Sequence, residues 1–250
     1  MNRITTVLCL LSLGLCLPLA KAQTVSPIIV EYQARGEGKI ELSNNTLSPL
    51  VVVLEPKSFS ITQDGTGVYR PLDSWIHVEL SSMNVKLQPK QSYTIFYKAY
   101  SDKLPAWFTV YCAFSSQQRG PGVNFRIMLP HTVYLYQKKP LPKESIELSH
   151  VVFDQKKNKV SFDIQNDGTA YGRVRSETVS AGRESVDLGG FPLLPGNPRH
   201  VEAAWTGKQP PRQVHVHFDD FDVEKAVESA PPAGDQPAQP QHNQGAVGPS

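Results

Sequence analysis

The sequence predicts an all-β protein, a sandwich or barrel laid out in two units. Three observations carry this. Short apolar runs with period-two alternation recur along most of the chain. Gly, Pro, Asn and Asp separate them, as in Gln63-Asp-Gly-Thr-Gly67 and Arg119-Gly-Pro-Gly122. No stretch after residue 22 has the spacing of an amphipathic helix. The 250 residues suffice for one large or two modest domains.

Residues 1–22 read as a signal peptide. Arg3 gives a positive start, Val7–Leu17 a short apolar core, and Ala20-Lys21-Ala22 a small-x-small cleavage site before Gln23. An uncleaved anchor helix is the alternative, but the apolar core falls short of the roughly 20 residues a bilayer demands. Leu15-Cys16 is a poor lipoprotein signal because the residue before the cysteine is bulky. No later stretch is long and apolar enough to span a membrane, so the mature chain is expected not to cross one.

Cleavage removes Cys9 and Cys16 and leaves Cys112 alone, which excludes an internal disulfide framework. Cys112 lies in the strand-like run Trp107–Phe114 with no activating neighbour, and reads as a buried, inert thiol. Removing Arg3 and Lys21 from 25 basic residues leaves 23 against 23 acidic ones. A mature chain of zero formal charge has no electrostatic footprint for nucleic acid.

The first unit is expected over residues 23–139. Its strand candidates are Pro27–Tyr32, Lys39–Ser43, Pro49–Pro56, Ser92–Lys98, Trp107–Phe114 and the long run Arg126–Tyr136. The glycines at 36, 38, 65, 67, 120 and 122 fall between runs and read as turn residues. Lys138-Lys-Pro-Leu-Pro-Lys143 is a stiff, solvated connector. A smaller unit follows over residues 140–220, with strand candidates at Ile146–Phe153, Lys159–Ile164, Tyr171–Arg175, Arg199–Trp205 and Gln213–Phe218. Residues 221–250, rich in Pro, Gln, Ala and Gly, read as a disordered tail.

Chemistry-bearing motifs are few. His215, His217 and Asp219 share one face of a strand and could ligate a metal, but no other strand offers a fourth ligand. Plain alternation, with Val214, Val216 and Phe218 inward, explains the same residues. No nucleophile elbow, zinc-protease motif, Walker loop or dinucleotide glycine pattern is present, so the expectation is a non-enzyme with no cofactor and no metal. Asn44-Asn-Thr46 matches a glycosylation acceptor, and a turn after a strand explains it equally well.

Several motifs, in this order, resemble the periplasmic pilus-assembly chaperones, the PapD-like family. They are Ile40–Val53, Leu87-Gln-Pro-Lys-Gln-Ser-Tyr-Thr-Ile95, Leu104–Tyr111, Phe125–Tyr136 with Lys138 and Pro140, Val160–Asn166 with Thr169-Ala-Tyr171, and Phe191–Gly196. The resemblance spans residues 26–218 and implies two immunoglobulin-like sandwiches. It further implies a periplasmic chaperone that binds a pilin-like subunit by β-strand addition along the last strand of the first domain. On that reading Phe125, Ile127 and Leu129 meet the partner. Val133, Tyr134 and Lys138 complete the expected partner-binding set. An outer-membrane usher is the second partner implied. The family's arginine and lysine anchors for a subunit's terminal carboxylate align with Ile28 and Tyr134 here, and neither is a cation. Lys138 or Lys139 is the candidate substitute. The rival reading is a non-catalytic structural or adhesive module of the cell envelope, since fold does not fix function.

Overall fold

The computed structural model describes residues 23–116 and 125–229. The expected signal peptide and residues 230–250 of the expected tail lie outside them. The chain divides between Pro140 and Leu141, and Thr62–Gly65 groups with the second unit.

The first unit contains β1 (Thr24–Ser26), β2 (Ile29–Gln33), β3 (Arg35–Ser43), β4 (Leu50–Ile61), β5 (Gly67–Pro71), β6 (Ile76–Leu80), β7 (Asn84–Leu87), β8 (Ser92–Ser101), β9 (Ala106–Ser116) and β10 (Arg126–Tyr136). They form two sheets, β1-β3-β8-β6 and β2-β10-β9-β4-β5, with β7 also paired to β4. Alternation selects the core: Ile40 and Leu42, Leu50, Val52 and Leu54, Phe108, Val110 and Phe114 all point between the sheets.

Gly36 and Gly38 are not turn residues. Both lie within β3. A Cβ on Gly36 would stand 2.4 Å from the Tyr32 ring, and one on Gly38 would stand 2.7 Å from the Tyr97 hydroxyl. The glycines make room for two tyrosines, which sequence spacing alone does not disclose.

Asn44 closes β3 and is fully buried. Its Nδ2 donates to the carbonyls of Ser48, Leu87 and Gln88 at 2.8, 3.3 and 3.0 Å, and its Oδ1 accepts from the Thr46 amide and hydroxyl. That occupancy overturns the glycosylation reading and supports the turn. Asn166 repeats the device in the second unit, donating to Ala170 and Leu193 carbonyls at 2.8 and 3.3 Å. Asn44→Ala strands several buried acceptors and is expected to cost about 3 kcal/mol in chemical denaturation. A loss below ~0.5 kcal/mol, the size of an ordinary surface change, would contradict this role.

The second unit opens with one 3-10 turn, Lys143–Ser145, and continues through β11 (Ile146–Asp154), β12 (Lys159–Asn166), β13 (Gly172–Arg173), β14 (Ser176–Ala181), β15 (Glu184–Gly189), β16 (Pro192–Leu193), β17 (Arg199–Ala204), β18 (Gln213–His217), β19 (Asp222–Ala226) and β20 (Glu228–Ser229). The sheets are β17-β12-β11-β20, β15-β14-β18-β19 and the pair β13-β16. Phe162, Ile164, Val179, Leu193, Val214 and Val216 are fully buried in a core of its own.

The tail boundary expected at residue 221 is corrected by β19 and β20. Phe221, Val223 and Val227 pack against this core, β19 pairs with β18, and the Lys225 ammonium donates to the Leu148 carbonyl at 2.8 Å. Apolar side chains at alternating positions carry the fold to Ser229.

Candidate functional site

The strand β10 has two unlike halves. It pairs with β9 from Arg126 to Leu135, but with β2 only from Thr132 to Tyr136. The cause is a change of sheet: β1 pairs with β3, and the chain then crosses through Pro27 and Ile28 to enter the other sheet as β2. Among the described residues, no strand covers Arg126–His131 on its second side.

Hydrogen-bond parity shows what this open edge offers. Ser116 N–H donates to Phe125 O across to β9, so odd-numbered residues face β9 and even-numbered ones face away. On the far side Thr132 N–H donates to Ile28 O at 2.7 Å, and Ala34 N–H donates to Tyr136 O at 2.8 Å, both at even positions. The open edge therefore presents the N–H groups of Arg126 and Met128 and the carbonyls of Arg126, Met128 and Pro130. Pro130 occupies an even position, so its missing N–H costs no bond to β9. A proline in mid-strand is accommodated because it lies on an edge.

The side chains follow the same parity. Phe125 and Leu129 are half-buried against the core, Ile127 between them is 38% exposed, and Val133 and Leu135 are fully buried. The inward face thus runs from closed core at Val133 and Leu135 to a partly exposed apolar row. Phe125, Ile127 and Leu129 come together there, whereas the other expected contacts do not join them. Val133 is core. Tyr134 is buried on the opposite face, edge-on to Phe59 with ring centroids 6.3 Å apart. Phe59 meets Tyr69 at 5.8 Å, and Tyr69 meets Tyr111 at 4.9 Å. Four strands supply this aromatic cluster. Lys138 is exposed beyond the end of β10. Ile28 is 60% exposed.

His131 sits at the junction of the two halves and is fully buried. Its Nδ1 lies 2.7 Å from Pro27 O and its Nε2 lies 3.0 Å from the Tyr97 hydroxyl, which is 3.1 Å from the Tyr32 hydroxyl. A carbonyl only accepts, so Nδ1 carries the proton and Nε2 accepts from Tyr97. Burial holds the imidazole below its ordinary range, partly offset by the bond to Pro27. Burial, reinforced by the Tyr32 hydrogen bond, pushes the Tyr97 hydroxyl well above the usual tyrosine range. This neutral chain ties the crossover at Pro27 to β10 and marks where the open edge ends.

The remaining candidates lead elsewhere. Cys112 is fully buried, and burial alone pushes its thiol up to about 12, which leaves no thiolate for nucleophilic chemistry. His215 pairs with Glu224 at 3.2 Å and His217 with Asp222 at 2.6 Å. Asp219 is held by both Arg175 Nε and Nη2, at 2.6 and 2.9 Å. The three residues that share a strand face in sequence are drawn to three separate partners. Among the described residues no helix is long and apolar enough to cross a membrane.

No protein-family model and no characterised protein sequence matches the chain. Solved structures do. The YadV chaperone aligns over 82% of this chain and 100% of its own at 12% identity, with a TM-score of 0.51. A complex of the Salmonella enterica SafA pilin with the SafB chaperone aligns over 82% and 96% at 14% identity, with a TM-score of 0.49. The Pseudomonas aeruginosa CupB2 chaperone aligns over 82% and 100% at 13% identity, with a TM-score of 0.46. The likeness to YadV shows the fold: two β-sandwich units of the immunoglobulin-like kind.

Proposed function

We propose that this chain is a periplasmic, chaperone-like protein that holds a subunit of a pilus or other surface structure by strand addition at the open edge of β10. The observation that carries this reading is the pairing of Arg126–His131 on one side only, among the described residues, with the partly exposed apolar row Phe125, Ile127 and Leu129 beside it. Such an edge supplies main-chain bonds for affinity and alternating pockets for selectivity. Left bare, a strand edge with an apolar row invites association, and proteins normally blunt it. Pro130 limits the ladder to the segment before it. The signal-like first 22 residues support export, and the PapD-like fold supports a protein partner over a catalytic role. With neutral Ile28 and Tyr134 at the anchor positions, a client is held through the edge and its apolar row without ion-pairing at those two sites.

The test is capture in the native host. Tagged mature protein is expected to co-purify with a strand-deficient envelope subunit, and Ile127→Asp is expected to lose it while remaining folded. Equal capture by both folded proteins would overturn the reading and favour the structural module.

A further inference from the structure

A strand added to β10 has two faces, and the second face meets a surface of its own. Resting on the strand-addition reading above, we infer that the partner strand is apolar on both faces at its centre, and that Met128, at the edge end of an outward apolar row, selects for this. The register places Val53 of β4, Ala113 of β9 and Met128 of β10 in one row across the sheet. All three belong to the outward face, because Val52, Leu54, Cys112 and Phe114 fill the inward one. Met128 is 42% exposed, Val53 is 45% exposed, and Ala113 between them is 4% exposed. The row ends at the free edge, since Met128 is one of the two residues whose N–H is presented there.

Its neighbours are mixed. On one side the row is Val51, Ser115 and Arg126; on the other it is Glu55, Tyr111 and Pro130. Across β4, β9 and β10 only the central row is apolar, and beyond Val53 it meets Asn84 of β7. A strand paired to β10 sets one outward side chain beside Met128, at the spacing of a cross-strand neighbour. An apolar residue there extends the row and buries more of Met128. A polar one leaves Met128 half-covered and loses its own hydration. The occupant is thus an extended segment whose inward residues pack beside Phe125, Ile127 and Leu129, with a large apolar residue on the opposite face at mid-length. Ordinary half-buried strands carry polar residues on that face.

Two synthetic peptides with a fluorophore and flanking lysines test this on the full mature chain. Both carry valine at alternate positions to pack beside Phe125, Ile127 and Leu129. On the other face one carries threonine throughout, and the second has a single leucine in the middle. Fluorescence anisotropy is expected to show the leucine peptide binding roughly tenfold more tightly, the scale set by burying a few methylenes. Met128→Gln is expected to bring the ratio of the two affinities close to one, with an unchanged melting curve. Equal binding of both peptides to the wild type overturns this inference and leaves strand addition standing. Binding of neither peptide overturns strand addition itself.

Discussion

Val133→Asp is expected to unfold the first unit, whereas Ile127→Asp, six residues earlier on the same face of β10, is expected to leave it folded and abolish client capture. The two positions share parity and differ only in what surrounds them. Val133 has no solvent exposure and lies where β10 is paired on both sides. A carboxylate there has neither water nor a partner, and the cost is about 3–5 kcal/mol, a large share of the stability of a small domain. Ile127 is 38% exposed on the half paired on one side. An aspartate there reaches water, so the penalty in the free protein is about 1 kcal/mol. Once a partner strand closes over it, the same charge is trapped and binding fails. Melting curves and a capture assay on both variants check this together. A folded Val133→Asp or an unfolded Ile127→Asp would place the boundary between core and exposed row elsewhere.

The second large effect is pH-dependent and belongs to the second unit. Glu177 of β14 points inward with Val179 and is 1% exposed, and its Oε1 has no hydrogen-bond partner. Burial pushes the carboxyl up from 4.5 to about 7, with Arg199 acting in the opposite direction. Below pH 4.5 the carboxyl is protonated whether folded or unfolded, and burial carries no charge penalty. Between pH 4.5 and 7 the unfolded chain loses its proton first, and stability falls. Above pH 7 the full penalty applies, roughly 3 kcal/mol for such a shift. Glu177→Gln removes the charge and keeps the shape. It is expected to stabilise the second unit by up to ~3 kcal/mol at pH 8 and not at all at pH 4.5, as read from denaturation curves at the two pH values. A gain of equal size at both would show that the carboxylate is not what penalises the fold.

Much of this architecture is legible in the sequence, and the exceptions have physical causes. Strands buried on one face, such as Lys159–Asn166, declare themselves by alternation. Pro130 points to an edge because a central strand does not tolerate a missing donor. The strands β5, β6 and β7 are four or five residues long, too short for alternation to stand out, and β5 is exposed at four of its five positions. The strands β19 and β20 are hidden by a charged, low-complexity neighbourhood in which only Phe221, Val223 and Val227 carry the signal. The site is half legible. That Phe125, Ile127 and Leu129 share one face follows from period two within one strand. Tyr134 misleads, because the residues that bury it lie on other strands and no local pattern links them. Val53 and Met128 are invisible for the same reason: 75 positions separate them, and only the register of β4 on β9 and of β9 on β10 brings them into one row.

Amide hydrogen exchange resolved at Arg126, Ile127, Met128 and Leu129 tests the open edge most directly. In the free protein Ile127 and Leu129 are expected to exchange slowly, bonded to β9, while Arg126 and Met128 exchange fast. With the valine-alternating peptide bound, Arg126 and Met128 are expected to slow to the rates of their neighbours. Protection of Arg126 and Met128 in the free protein, or their continued fast exchange in the complex, would contradict strand addition at β10.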